Sequence, residues 1–175
     1  KTEMKKISIV IPVYYNHDNL LPLYADLKEK VLSKLDREYE LIFVDDGSKD
    51  DSYSVMKELA KIDSNIKTIK LSRNFGEHSA ILAGLSQCTG DCAVRKAADL
   101  QEPSEMILDM IKKSSQVEGC QLILLCGSVG DGKSHLLSYL KSKNNKIDIL
   151  WLFGVKKGQD ILVDGASLTP VNYIR

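Results

Sequence analysis

Short apolar runs and stretches of helical periodicity alternate through residues 6–111, and a chain with that alternation and short connections has few folds open to it. Lys6 to Val13 is an almost unbroken β-branched run containing Pro12, the pattern of a strand buried on both faces. Leu20, Leu21, Leu23, Leu27, Val31 and Leu35 follow at helical spacing, with Asp18 placed to cap that helix. Tyr39 to Val44 reads as a second buried strand, and Asp51 to Ile62 as a helix with Val55, Met56, Leu59 and Ile62 inward. Ile66 to Leu71 is a third strand, Ser79 to Cys88 a third helix, Cys92 to Val94 a short fourth strand and Ser104 to Ile111 a fourth helix. The predicted fold class is α/β, a mostly parallel sheet with helices on both faces. Arg95-Lys96 stand out against it, because a sheet interior normally carries apolar residues at such positions.

After Lys113-Ser114-Ser115-Gln116 the pattern restarts. Gln121 to Cys126 reads as a strand, His135 to Leu140 as a helix and Ile147 to Phe153 as a further strand, with Lys141 to Lys146 a polar connection. Charge divides near the same place: residues up to Met110 hold 15 basic and 19 acidic side chains, the remainder 9 and 5. Neither half is basic enough to argue for nucleic acid. Cys88, Cys92, Cys120 and Cys126 form no C-x-x-C pair and have no histidine at zinc spacing, so they read as reduced thiols of a cytoplasmic protein. Ile7 to Val13 is too short for a secretory signal, and no apolar stretch reaches the roughly 18 residues of a membrane span. Membrane association is expected only through segments outside this chain, and composition leaves an oligomer open.

Two acidic turns sit where strands end: Val44-Asp45-Asp46-Gly47-Ser48 and Ala98-Asp99-Leu100-Gln101-Glu102-Pro103. In an open parallel sheet, ligands bind beyond the carboxyl ends of the strands, so the two clusters can face one crevice. A carboxylate just past a buried strand can accept hydrogen bonds from a ribose or a base, while hard oxygen ligands hold Mg²⁺ or Mn²⁺ on a diphosphate. Asp45 or Asp46 suits the first task and Asp99 with Gln101 the second. Taken alone, Asp45-Asp46-Gly47-Ser48 could equally be a turn with a helix cap. His17 and His78, near helix starts, suit capping or surface roles.

Four segments in order then carry a resemblance: Ile9-Val10-Ile11-Pro12-Val13-Tyr14-Tyr15-Asn16, Val44 to Asp50, Ser72-Arg73-Asn74-Phe75-Gly76-Glu77-His78 running into Ala83-Gly84-Leu85, and Ala98 to Pro103. Over residues 7–111 the chain resembles family 2 glycosyltransferases, and within them the branch that moves a sugar from a nucleotide donor to dolichyl or undecaprenyl phosphate. The resemblance implies a Rossmann-like glycosyltransferase A fold, a UDP- or GDP-sugar donor and a polyprenyl phosphate acceptor at a membrane surface. It implies that Pro12, Tyr14, Asp45 and Asp46 line the nucleoside pocket, that Arg73 lies near the diphosphate, and that Asp99 and Gln101 hold the metal, with Asp99 and Arg73 the catalytic pair. One departure is visible. Many relatives carry an acidic residue two places before Asp99, where this chain has Ala97.

Gly127-Ser128-Val129-Gly130-Asp131-Gly132-Lys133-Ser134 fits the P-loop pattern G-x-x-x-x-G-K-[ST] at every fixed position, and residues 121–140 resemble the start of a nucleoside-triphosphatase domain. In that reading Gly127 and Gly132 shape the phosphate cradle, Lys133 reaches the terminal phosphates and Ser134 holds Mg²⁺. A complete domain of that kind needs more strands than the chain after Ser134 provides. The expected organisation is therefore a nucleotide-sugar-binding half over 1–111 and a divergent or foreign tail over 112–175, packed on the same sheet. The rival readings are a P-loop ATP/GTP-binding module and a non-catalytic domain that keeps the fold.

Overall fold

The computed structural model describes residues 5–114, 122–127 and 148–153. Its elements run β1 (Lys6–Val13), α1 (His17–Lys30), β2 (Glu38–Asp45), α2 (Ser52–Ile62), β3 (Ile66–Lys70), α3 (Glu77–Ser86), β4 (Cys92–Arg95), α4 (Met106–Ser114), β5 (Leu122–Gly127) and β6 (Asp148–Phe153). The six strands form one sheet in the order β3-β2-β1-β4-β5-β6, and each described pairing is parallel. The expected α/β class and parallel sheet are what the structure shows. β5 adds beside β4 through the register Cys92 to Leu122, and β6 pairs with β5 from Leu122 to Gly127.

β1 is apolar throughout because both of its faces are covered. Ile7, Ile9, Ile11 and Val13 join Leu41 and Phe43 of β2 under α1, α2 and α4, where Leu20, Leu23, Leu27, Met56, Leu59, Ile107 and Met110 complete the larger core. Val10, Ile42 and Val44 face the other way and pack on Ala80 of α3. The two-residue period of a strand sends neighbours to opposite faces, which is why the run needs no polar alternation. Gly84 lets α3 come down onto this second face: a Cβ there would lie 2.4 Å from Val10 Cγ1.

Three local expectations are corrected. Asp18 does not cap α1; Asn16 occupies the cap position without a side-chain bond, and Asp18 lies in the first turn. Ile62 is 68% exposed; it is the last residue of α2 and lies off the helix's buried face, which Met56 and Leu59 form. Leu35 lies beyond α1, which stops at Lys30 and gives way to a 3₁₀ turn over Leu32–Lys34.

Glu40 is a buried carboxylate on the α3 side, 2% exposed. It accepts bonds from Ser8 Oγ (2.6 Å), Thr89 N (2.6 Å) and Thr89 Oγ1 (2.9 Å), and pairs with Lys6 Nζ (3.2 Å) and Lys67 Nζ (2.8 Å). Burial by itself would raise its pKa, but the bonds from Lys67, Ser8 and Thr89 outweigh that and hold it far below its ordinary value of 4.5. A depressed folded pKa stabilises the fold above the unfolded pKa, and that stability is lost as pH falls. Replacing Glu40 by Gln is expected to cost about 2–3 kcal/mol at pH 7. The deficit should shrink as pH drops below 4.5. Urea denaturation of parent and variant at pH 7 and pH 3 measures both, and a deficit independent of pH would refute the ionised state of Glu40.

Candidate functional site

β1 is hydrogen-bonded to β2 on one side and β4 on the other, so the chain order of the sheet reverses around it. The crevice beyond the carboxyl ends at such a reversal is where open α/β sheets bind ligands. Four chain segments meet at that edge: Tyr14 to His17 after β1, Asp45 to Ser52 after β2, Leu71 to Glu77 after β3 and Lys96 to Pro103 after β4. Pro12 itself lies buried within β1, in register with Val44, while Tyr14 and Tyr15 stand half-exposed at the rim with their rings edge to face.

The two aspartates of the β2 turn do different work. Asp45 Oδ1 accepts the Ser48 N–H at 3.0 Å, closing the turn, while Asp45 Oδ2 is buried with no hydrogen-bond partner among the described residues. Asp46 spends both oxygens on a second loop, accepting Phe75 N–H on Oδ1 at 2.8 Å and Gly76 N–H on Oδ2 at 3.0 Å. Gly47 has φ +74°, and a Cβ there would lie 2.3 Å from the backbone carbon of Arg73. Only a glycine at 47 lets the two loops touch backbone to backbone. Arg73 is thereby held at the rim, its guanidinium 4.6 Å from the centre of the half-exposed Phe75 ring.

Hydroxyls tie the first loop to the second. Ser48 Oγ accepts Tyr15 N–H and Ser52 Oγ accepts Asn16 N–H, each at 3.0 Å. His17 Nδ1 lies 2.9 Å from Asp50 Oδ2, and that bond raises the imidazole pKa. Tyr15 has φ +53° and Leu100 φ +61°, the two non-glycine residues in the left-handed region among the described residues. Both sit at this edge, which is where stored backbone strain is usually found.

The Asp99 turn is open to solvent. Asp99 and Gln101 are exposed, and Asp99 Oδ1 accepts the Gln101 N–H at 3.1 Å. Among the described residues no group of three or more His, Cys, Asp or Glu side chains could cage a metal. A single exposed carboxylate fits a divalent cation in one way, with the remaining ligands supplied by water and a substrate's phosphates, as is usual for Mg²⁺.

Of the predicted site residues, the structure gathers Tyr14, Asp45, Asp46, Arg73, Asp99 and Gln101 at one edge. Gly127 ends β5, and Gly132, Lys133 and Ser134 lie outside the described residues. Sequence reasoning gave no role to Ser48 and Phe75, which adjoin Gly47 and Gly76 in the motifs it quoted, and did not single out Ser52 at the start of α2. It also flagged Arg95 and Lys96 without finding their partners.

The model of glycosyl transferase family 2 matches residues 8–152. The undecaprenyl-phosphate 4-deoxy-4-formamido-L-arabinose transferase of Proteus mirabilis is 43% identical over 115 residues, 65% of this chain and 35% of that protein. An uncharacterized glycosyltransferase of Bacillus subtilis, YkcC, is 46% identical over 106 residues, 61% of this chain and 32% of its own. The chain thus spans about a third of the length of these curated relatives. Among solved structures, the Pyrobaculum calidifontis mannosyltransferase PcManGT, in complex with GDP-Man and Mn²⁺, superposes with a TM-score of 0.59 at 18% identity, covering 78% of this chain and 39% of that one. S. aureus TarS 1–349 in complex with UDP-GlcNAc gives 0.56 at 21% identity, covering 71% and 35%. The fold is the Rossmann-like glycosyltransferase A fold, as the sequence resemblance implied.

Replacing Asp46 by Ala removes the acceptor of the Phe75 amide and leaves the Gly76 amide with Asn74 Oδ1 at 2.9 Å. Trypsin cleavage after Arg73 is expected to accelerate at least about tenfold, since each bond to a carboxylate contributes on the order of 1.5–3 kcal/mol against local opening. Mass spectrometry of the fragment ending at Arg73 reads the rate, and cleavage as slow as in the parent would show that the loop is held by something else.

Proposed function

The chain belongs to glycosyl transferase family 2, and from that premise we propose that it is the donor-binding part of a glycosyltransferase that transfers a sugar from a nucleotide-diphospho-sugar to a polyprenyl phosphate. The observation that carries the reading is the convergence of four separate segments, bearing Tyr14, Asp45 with Asp46, Arg73 and Asp99, on the carboxyl edge at the sheet's reversal point. The donor class is supported by the UDP-GlcNAc and GDP-Man complexes of the structural neighbours. The acceptor class is supported by the names of relatives from Proteus, Klebsiella and Pseudomonas.

In this reading Pro12, Tyr14, Asp45 and Asp46 form the nucleoside pocket. Asp45 Oδ2, buried without a donor among the described residues, is the acceptor left for an N–H or O–H of the ligand. Asp46 keeps the Arg73 loop against the pocket, so that the Arg73 cation meets the diphosphate. Asp99 and Gln101 would hold a divalent cation together with the donor's phosphate oxygens, and when bound it stabilises charge on the departing nucleoside diphosphate. A phosphate acceptor is already anionic, so no general base is needed; the protein's contribution is to orient donor and acceptor and to complement developing charge. The acceptor is a lipid, which places the reaction at a membrane surface. Cys88 is a free thiol, consistent with its cytoplasmic side.

Titration calorimetry with UDP-GlcNAc and with GDP-mannose, each with Mn²⁺, is expected to show binding of one donor, and binding of neither would end this reading. Asp45→Ala should weaken that donor at least about tenfold. Because Asp99 supplies a lone carboxylate, cation and donor should each raise the other's affinity by the same factor, about 5- to 150-fold. Repeating the titration in EDTA, and with Asp99→Asn, measures the factor. A donor affinity indifferent to Mn²⁺ in the parent would remove Asp99 from the metal site.

A further inference from the structure

The two cations that end β4 have no place in the binding roles assigned so far. Arg95 is 11% exposed along its side chain and Lys96 is 2% exposed, and Lys96 N–H still pairs with Val10 O at 2.9 Å, so both belong to the sheet's covered edge. Burying an ammonium costs more than burying a methionine of similar length, so stability alone does not explain a lysine here.

Their partners do. Lys96 Nζ donates to Glu102 O at 2.9 Å and to Ala97 O at 3.3 Å, the two carbonyls that bracket the Ala98–Gln101 segment. Arg95 takes the other side of the same residue: its Nη1 lies 3.3 Å from Glu102 Oε1, and its Nη2 pairs with Glu77 in the first turn of α3. Glu102 is therefore gripped by its carbonyl and its carboxylate at once. The segment so closed contains Leu100 at φ +61° and the Asp99–Gln101 bond. A left-handed non-glycine residue persists only where its surroundings over-determine it, and this grip supplies that determination. Through Glu77 it also joins the Asp99 turn to the loop that carries Arg73.

We infer that Arg95 and Lys96 are positioning residues, a two-cation clamp on Glu102 that fixes the Ala97–Glu102 loop and with it the direction of Asp99. The inference rests on the proposed role of Asp99 for its functional consequence, and on the geometry alone for its structural one. Neither cation touches the donor; each acts through the loop.

The test uses the full chain and Lys96→Met, which keeps length and suits a buried sheet position. Hydrogen exchange, with no ligand present, should show the Leu100 and Gln101 amides exchanging at least about tenfold faster than in the parent, while the β1 and β2 amides keep their rates. Calorimetry with UDP-GlcNAc or GDP-mannose should then show the Mn²⁺-dependent gain in affinity falling at least about fivefold, with affinity in EDTA unchanged. Glu102→Ala, which removes the carboxylate from Arg95 and keeps the backbone carbonyl that Lys96 uses, should move both readouts the same way and decides the matter if Lys96→Met does not fold. Unchanged exchange in the 97–102 loop overturns the clamp. Faster exchange with an unchanged Mn²⁺ gain overturns its action through Asp99. A parent that binds neither donor defeats the proposed function instead, and leaves the exchange data to judge the clamp.

Discussion

The site depends on β1 being hydrogen-bonded on both edges. Its register runs Lys6 to Glu38 through Val13 to Asp45 on one side and Ile7 to Cys92 through Val10 to Arg95 on the other. Because all three strands point the same way, their loops leave at one end, and residues 32 positions apart across β1 and β2 and 85 apart across β1 and β4 become neighbours. A register slip of one residue would turn the Ile7, Ile9, Ile11 set away from α1 and carry Asp45 off the rim, so the apolar pattern that buries the strand also aims the site.

On that edge the loops are held by short-range chemistry that leaves little slack. Gly47 allows the β2 turn to touch the backbone of Arg73, and Asp46 uses both oxygens to keep the contact closed. Ser48 and Ser52 anchor the loop after β1 to the same turn. The result is one connected frame, in which a ligand meets atoms whose positions are set before it arrives; such preorganisation is how polar sites gain strength in a partly dry environment. Asp45 Oδ2 is buried within that frame and, like Glu102 Oε2 and Ser104 Oγ, has no hydrogen-bond partner among the described residues.

Charge is distributed by the same logic. Glu40 lies at the opposite end of the strands, satisfied by five donors, and anchors the Thr89 turn before β4. Arg95 and Lys96 lie at the other end of β4 and close the turn after it. A four-residue strand has few ladder bonds of its own, and β4 is flanked by the Thr89 hydrogen bonds to Glu40 before it and by the Arg95 and Lys96 contacts after it.

The apolar runs and their spacing were enough to determine the elements, their parallel pairing and the edge on which the acidic turns fall, because burial on two faces leaves a continuous β-branched signature that does not depend on distant residues. The acidic turns at strand ends put Asp45 and Asp99 on the list of candidates, and the resemblance to family 2 glycosyltransferases added Tyr14 and Arg73. What the sequence alone could not separate was the work of neighbours. Asp45 and Asp46 look equivalent in a turn, yet one closes it and the other reaches a loop 29 residues on. Asp18 looks like a cap, yet Asn16 holds that position; Ile62 continues an inward stripe, yet it ends α2 off the helix's buried face. Arg95 and Lys96 looked misplaced in a sheet until Glu102 and Glu77 stood beside them. Periodicity reports how much of a residue is covered, and only the tertiary structure decides which donor meets which acceptor, since that depends on loop paths that local pattern does not encode.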